Sequence, residues 1–148
     1  MPHCPSPVPR RPGTTLVEIV AVLALVTIAT GVALPRAKRA VDRIAVQNAT
    51  LTIAGACALA RGGAIMRSGY ASVTIDTVAA AVLVTAGNDT LLSHSLIDGG
   101  SLTLSASRTT VTYGPTGLGF GASNTRVIAR QGEAADTLYT SRLGRVRR

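Results

Sequence analysis

The sequence predicts an α+β fold, a long N-terminal transmembrane and amphipathic helix packed on an antiparallel β-sheet domain. Three observations predict it. An apolar run of membrane length fills residues 14–34, helical spacing of apolar and small residues continues it to residue 67, and short β-rich runs separated by turn residues follow from Tyr70. The organisation read from this is a leader over 1–13, a transmembrane helix over 14–34, its amphipathic continuation over 35–67 and a β-rich domain over 68–148.

Residues 1–13 are rich in proline, carry Arg10 and Arg11, and suit neither helix nor strand, so they read as a leader that is removed. Between Thr14 and Leu34 the only charge is Glu18. At about 1.5 Å per residue this stretch spans roughly 31 Å, the thickness of a bilayer hydrocarbon core. A secretory signal would be shorter and would end in a small-residue cleavage motif. Here Pro35 and the basic cluster Arg36, Lys38, Arg39 and Arg43 follow instead, so the segment reads as a retained anchor. That cluster outweighs Arg10 and Arg11, so charge counting alone does not orient the chain across the membrane.

Past Pro35, a position expected to kink the helix rather than end it, Ala37, Val41, Ile44, Asn48, Leu51, Gly55, Ala58, Gly62 and Ile65 recur in steps of four and three. A second stripe, Ile53, Cys57, Ala60 and Ala64, joins them later. The pattern predicts a helix wet on most sides at first and buried on two faces farther on, weakening or stopping at Gly62-Gly63. Strands are predicted over 71–75, 81–85, 90–95, 101–105, 109–113, 126–130 and 137–141, with Gly87-Asn88-Asp89 and Asp98-Gly99-Gly100 as turns.

Hydrophobic residues make up 47% of the chain, but the aromatics are only Tyr70, Tyr113, Phe120 and Tyr139, so the core must be aliphatic and a deep aromatic ligand pocket is disfavoured. The net charge is +8, and Lys38 is the only lysine. Arginine's planar fork suits phosphate or carboxylate, yet the same bias follows from coding-sequence base composition, the plainer account of the two. Cys4 falls in the leader, leaving Cys57 as a small buried apolar residue with no disulfide partner. No catalytic set is visible. Gly114 to Gly121 lacks the Lys-Ser or Lys-Thr of a phosphate loop and reads as a mobile β-connection, and His94 near Ser93, Ser95 and Asp98 is a lone histidine on a short strand. Asp89 and Asp98 suit turns. With His3 also in the leader, no metal-ligand spacing remains, and neither enzyme activity nor a cofactor is expected.

The informative element is Gly13-Thr14-Thr15-Leu16-Val17-Glu18-Ile19-Val20 at the head of the apolar helix. It resembles the prepilin processing site of type IV pilin-like proteins. The resemblance implies cleavage by prepilin peptidase between Gly13 and Thr14, N-methylation at Thr14, and Glu18 as the fifth mature residue. A carboxylate within an apolar run is costly, roughly 2.5–3.5 kcal/mol at mid-membrane on insertion scales. Glu18 would lie only about 6 Å along the helix from the new terminus, where the amino group of a neighbouring subunit can neutralise it and set axial register during filament assembly. Thr14 stands where such proteins usually carry phenylalanine.

Three later motifs resemble the GspH/FimT group of minor pilins and pseudopilins: Ala60-Arg61-Gly62-Gly63-Ala64-Ile65-Met66-Arg67 at the helix end, Tyr113-Gly114-Pro115-Thr116-Gly117 in the sheet region, and the closing Gly144-Arg145-Val146-Arg147-Arg148. Membership implies a single-pass protein of the bacterial inner membrane with a periplasmic C-terminal domain, whose partners are other pilins or pseudopilins and the prepilin peptidase. Two roles occur in the group: a structural subunit of a type II secretion pseudopilus or type IV pilus, and a DNA-binding minor pilin for DNA uptake. For the second, Arg142, Arg145, Arg147 and Arg148 are expected to form a flexible, exposed cationic tail beside Tyr139. The alternative is a turn at Gly144 with Val146 packed inward and the arginines merely solvated.

Overall fold

The computed structural model describes residues 15–97, 100–121 and 124–148, so the processing site at Gly13 and Thr14, the leader, and the Asp98-Gly99 turn lie outside the described residues. The chain divides between Ala37 and Lys38 into two units. One helix, α1 (Leu16–Met66), supplies residues to both. Among the described residues nine strands follow: β1 (Ala71–Asp76), β2 (Ala81–Ala86), β3 (Asp89–Ser95), β4 (Thr103–Ala106), β5 (Thr110–Tyr113), β6 (Gly119–Phe120), β7 (Thr125–Gln131), β8 (Ala134–Thr140) and β9 (Val146–Arg147).

In the first unit every described side chain is exposed. Thr15 caps the helix: its carbonyl receives the amides of Glu18 and Ile19, and its hydroxyl also accepts from Glu18 at 3.3 Å. Downstream, the hydroxyls of Thr27 and Thr30 donate to Leu23 O and Val26 O at 2.8 and 2.7 Å, so neither leaves an unmet polar group on an apolar surface. Pro35 lies inside α1 and does not end it.

In the second unit α1 buries one face, not the two expected. Val46, Ala49, Ile53, Ala56, Cys57, Ala60 and Ala64 form it, so the Ile53 stripe is core. The other stripe faces outward, with Val41, Ile44, Leu51 and Ile65 all exposed, because both sheets contribute to a single core on the Ile53 side. The helix passes through Gly62-Gly63 to Met66. A Cβ on Gly63 would come within 2.8 Å of Leu91 Cδ1, so the glycine gives a β3 side chain room against the helix. Ser68, at φ 48°, then ends the helix, with Gly69 N donating to Ala64 O at 3.0 Å.

The strands form two antiparallel sheets, ordered β3-β2-β1-β5-β6 and β4-β7-β8-β9. Alternation buries Val73, Ile75, Val82, Val84 and Val111 from the first sheet and Leu104, Val127, Ala129 and Leu138 from the second in one aliphatic core. The tight turn after β2 uses Gly87 at φ 61°, as expected from Gly-Asn-Asp. Asp76 builds the preceding turn, its Oδ1 accepting the amides of Val78 and Ala79. Two short strands, β6 and β9, fall where no strand was expected.

Candidate functional site

Glu18 sits in the first turn of α1, exposed, near the positive end of the helix dipole. It is the only acid in a stretch whose Leu16, Val17, Ile19, Val20, Val22 and Leu23 are all more than half exposed. No described part of the chain covers these side chains, and α1 is long and apolar enough to cross a membrane.

The three motifs picked out in the globular unit converge on one corner. Gly117, at φ 73°, lies so close to α1 that a Cβ there would be 2.6 Å from Ile65 Cδ1 and 3.3 Å from Arg61 Nε. The Gly114-to-Gly121 segment is therefore not a mobile connection. Gly114 N donates to Leu118 O at 2.9 Å, and β5 pairs with β6 to make a short hairpin seated on the helix. Tyr113, fully buried, donates from its hydroxyl to Gly144 O at 3.3 Å, and a Cβ on Gly144 would meet the Tyr113 ring at 2.5 Å. Burial, and then the neighbouring Cys57, push the Tyr113 hydroxyl pKa well up; burial likewise raises the Cys57 thiol. A cleft of ≈ 260 Å³ opens beside them, lined by Cys57, Arg61, Tyr113, Gly144 and Arg145 among others.

The closing segment is not the flexible tail expected. Gly144, at φ 74°, makes a turn in which Gly144 N donates to Ser141 O, and β9 then pairs antiparallel with β8, Arg147 opposite Tyr139 and Val146 opposite Thr140. Val146 packs partly against the core. Arg148 Nε reaches Asp136, whose carboxylate also accepts from Thr50 Oγ1 at 2.8 Å. Desolvation raises the Asp136 pKa, but bonds from Thr50, Arg148 and the Thr137 amide outweigh it and hold the carboxyl below its ordinary range. A turn glycine, an inward valine and a half-covered carboxylate thus tie the segment down. Arg142, Arg145 and Arg147 remain exposed, and none pairs with a carboxylate among the described residues.

Against known families, residues 49–144 match the model described as Type II transport protein GspH. The chain belongs to the GspH family. It is a type IV pilin-like protein. Two crystal structures of the type IV minor pilin FimU of Pseudomonas aeruginosa share its fold. One superposes with a TM-score of 0.60 at 16% identity, covering 69% of this chain and 86% of FimU; the other, from a second crystal form, gives 0.56 at 18%, covering 68% and 90%. No curated protein matches the chain.

The three motifs thus meet in space around Tyr113, while Glu18 and Pro35 stand apart from that corner in sequence. Sequence reasoning missed a second fastening in the globular unit. Asp42 is buried, its Oδ1 accepts from Gln131 Nε2 at 3.0 Å, and Gly132 at φ 57° lets the β7–β8 turn close on it; Arg39 pairs with Glu133 beside it at 3.2 Å. The signal was present as an acid about three helical turns before Ile53, in phase with the stripe that proves to be core. At the helix end Arg67 reaches Ala86 O at 3.2 Å and the Asp89 carboxylate, so Asp89 is an ion-pair partner as well as a turn residue. His94 is exposed on β3 and lines a cleft with Val41, Ile44, Asn48 and Gln131.

Proposed function

We propose that this chain is a minor pilin or pseudopilin, a structural filament subunit anchored in the bacterial inner membrane with its β domain in the periplasm. Prepilin peptidase cuts between Gly13 and Thr14, the Thr14 amine is methylated, and Glu18 pairs with the Thr14 amine of a neighbouring subunit as the helix enters the filament. The observation that carries this reading is a capped helix whose first turns are wholly exposed and, but for one carboxylate, apolar, in a member of the GspH family. Pro35 would let the helix bend where it leaves the membrane. Intact-mass analysis of the membrane-extracted protein should give a chain starting at Thr14, 14 Da heavier if methylated. Glu18→Ala should abolish incorporation into sheared filaments while the protein stays in the membrane. Retention of residues 1–13, or normal incorporation of the Glu18→Ala chain, sinks the reading.

A second role, DNA binding for uptake, is favoured by the exposed Arg142, Arg145 and Arg147. Arg148 already serves Asp136, so three phosphate contacts are counted. They give a salt slope of about −2.7, a loss of roughly fortyfold between 50 and 200 mM salt. Replacing Arg145 and Arg147 together by Gln should abolish the gel shift of the detergent-solubilised chain; an unchanged shift removes this role.

A further inference from the structure

The two sheets differ in their outer faces. On the five-stranded sheet the side chains that alternate away from the core on β1, β2 and β5 include Ser72, Thr74, Asp76, Leu83, Thr85, Thr110 and Thr112, with one acid and no cation among them. On the four-stranded sheet they include Arg126, Arg130, Tyr139 and Arg147, with no carboxylate among the described outward residues of its strands. Asp136, the one acid in these strands, sits on the inner side with Thr50 and Arg148.

Register sharpens the point. Tyr139 pairs with Arg126 on one side and with Arg147 on the other, so an aromatic ring stands between two guanidinium groups in a row across three strands, each about 4.8 Å from the next. The ring is 51% exposed. Ser105, Ile128 and Thr137 form the next row, and Arg130 lies four residues from Arg126, about 13 Å along the strand. An exposed aromatic flanked by cations, with hydroxyls nearby and no opposing charge, suits a ligand that is anionic and also offers a planar face. Arginines contact phosphates and the ring stacks on a base. A duplex keeps its bases stacked inward and would use only the arginines.

We propose that the outer face of the β4-β7-β8-β9 sheet binds single-stranded nucleic acid, with Tyr139 as a base-stacking platform and Arg126 and Arg147 as its phosphate clamps. This rests on the nucleic-acid reading above and extends it from the closing segment to the sheet. The test uses the full chain in nonionic detergent with two labelled strands of about 16 nucleotides, oligo-dT and an abasic strand with the same phosphates. Fluorescence anisotropy at fixed salt should show oligo-dT bound about tenfold or more tightly than the abasic strand. Tyr139→Ala should erase that difference, Tyr139→Phe should preserve it, and Arg126→Gln should weaken both strands. Equal affinity for the two strands in the wild-type chain, or an oligo-dT preference that survives Tyr139→Ala, overturns the platform. If both strands bind equally and both are lost on replacing Arg145 and Arg147, the closing-segment role stands and only the platform falls. Failure of both strands to bind removes the two together.

Discussion

Residues 16–37 and 42–64 are stretches of one helix, the first the richer in Val, Leu and Ile, yet every side chain of the first is exposed while nine positions of the second are buried. The second stretch turns its small residues inward, Ala49, Ala56, Cys57, Ala60 and Ala64, and leaves larger ones such as Ile44, Leu51 and Leu59 in the open. Apolar content therefore did not decide burial. What decided it was whether the chain holds a surface able to approach: two sheets can close on small side chains, and nothing described closes on residues 16–37. A continuous apolar surface of that kind marks contact with lipid or other proteins.

The contrast breaks most sharply at Ile53, which is fully buried. Ile53→Ala should cost about 3–4 kcal/mol in denaturant unfolding of the detergent-solubilised chain, whereas Leu23→Ala should leave the unfolding of the globular unit within about 0.5 kcal/mol. Equal losses would mean that the exposed stretch is folded against the domain. Next comes Gly144→Ala, which forces a side chain into a positive φ and against the buried Tyr113 ring, at about 2–4 kcal/mol. Tyr113→Phe removes only the hydroxyl's bond to Gly144 O and should cost about 1 kcal/mol.

Acid offers a gentler probe. Because Asp136 is held below its ordinary range in the folded chain, its contribution is full above the unfolded carboxylate value of about 3.9 and fades as pH falls through the lower folded value. The stability gap between the wild type and Asp136→Asn should be constant above about pH 5 and shrink below about pH 4. A gap that grows with acid would contradict the Arg148–Asp136 tie. The smallest effect is expected at Leu51, exposed on the outward stripe: Leu51→Ala should change unfolding by less than about 0.5 kcal/mol.

Much of the fold was legible because its signals are local. The helix needed only spacing, and β1, β2 and β3 only alternation and a Gly-Asn turn, so their bounds came out within a residue or so. The strand expected over 137–141 instead begins at Ala134, because Gly132 turns the chain earlier than its alternation suggests. β6 and β9 were illegible: two-residue strands have no period and exist only because Tyr113 and Tyr139 offer an edge to pair with. Of the candidate site, the closing arginines were visible as residues, but their tethering through Asp136 depended on a partner distant in sequence. The Arg126–Tyr139–Arg147 row was hidden for the same reason, since strand register cannot be read from three separate segments.

By itself, then, the sequence determined the apolar helix with its single acid, the aliphatic core and the arginine excess, because length, periodicity and charge are properties of contiguous residues. Tertiary structure alone decided which helix stripe is core, that the three separate motifs meet at Tyr113, and that the outward strand arginines fall on one sheet and not on the other. Each of those outcomes depends on which distant segments pair and in what register, and that is set by the joint packing of both sheets on one face of α1.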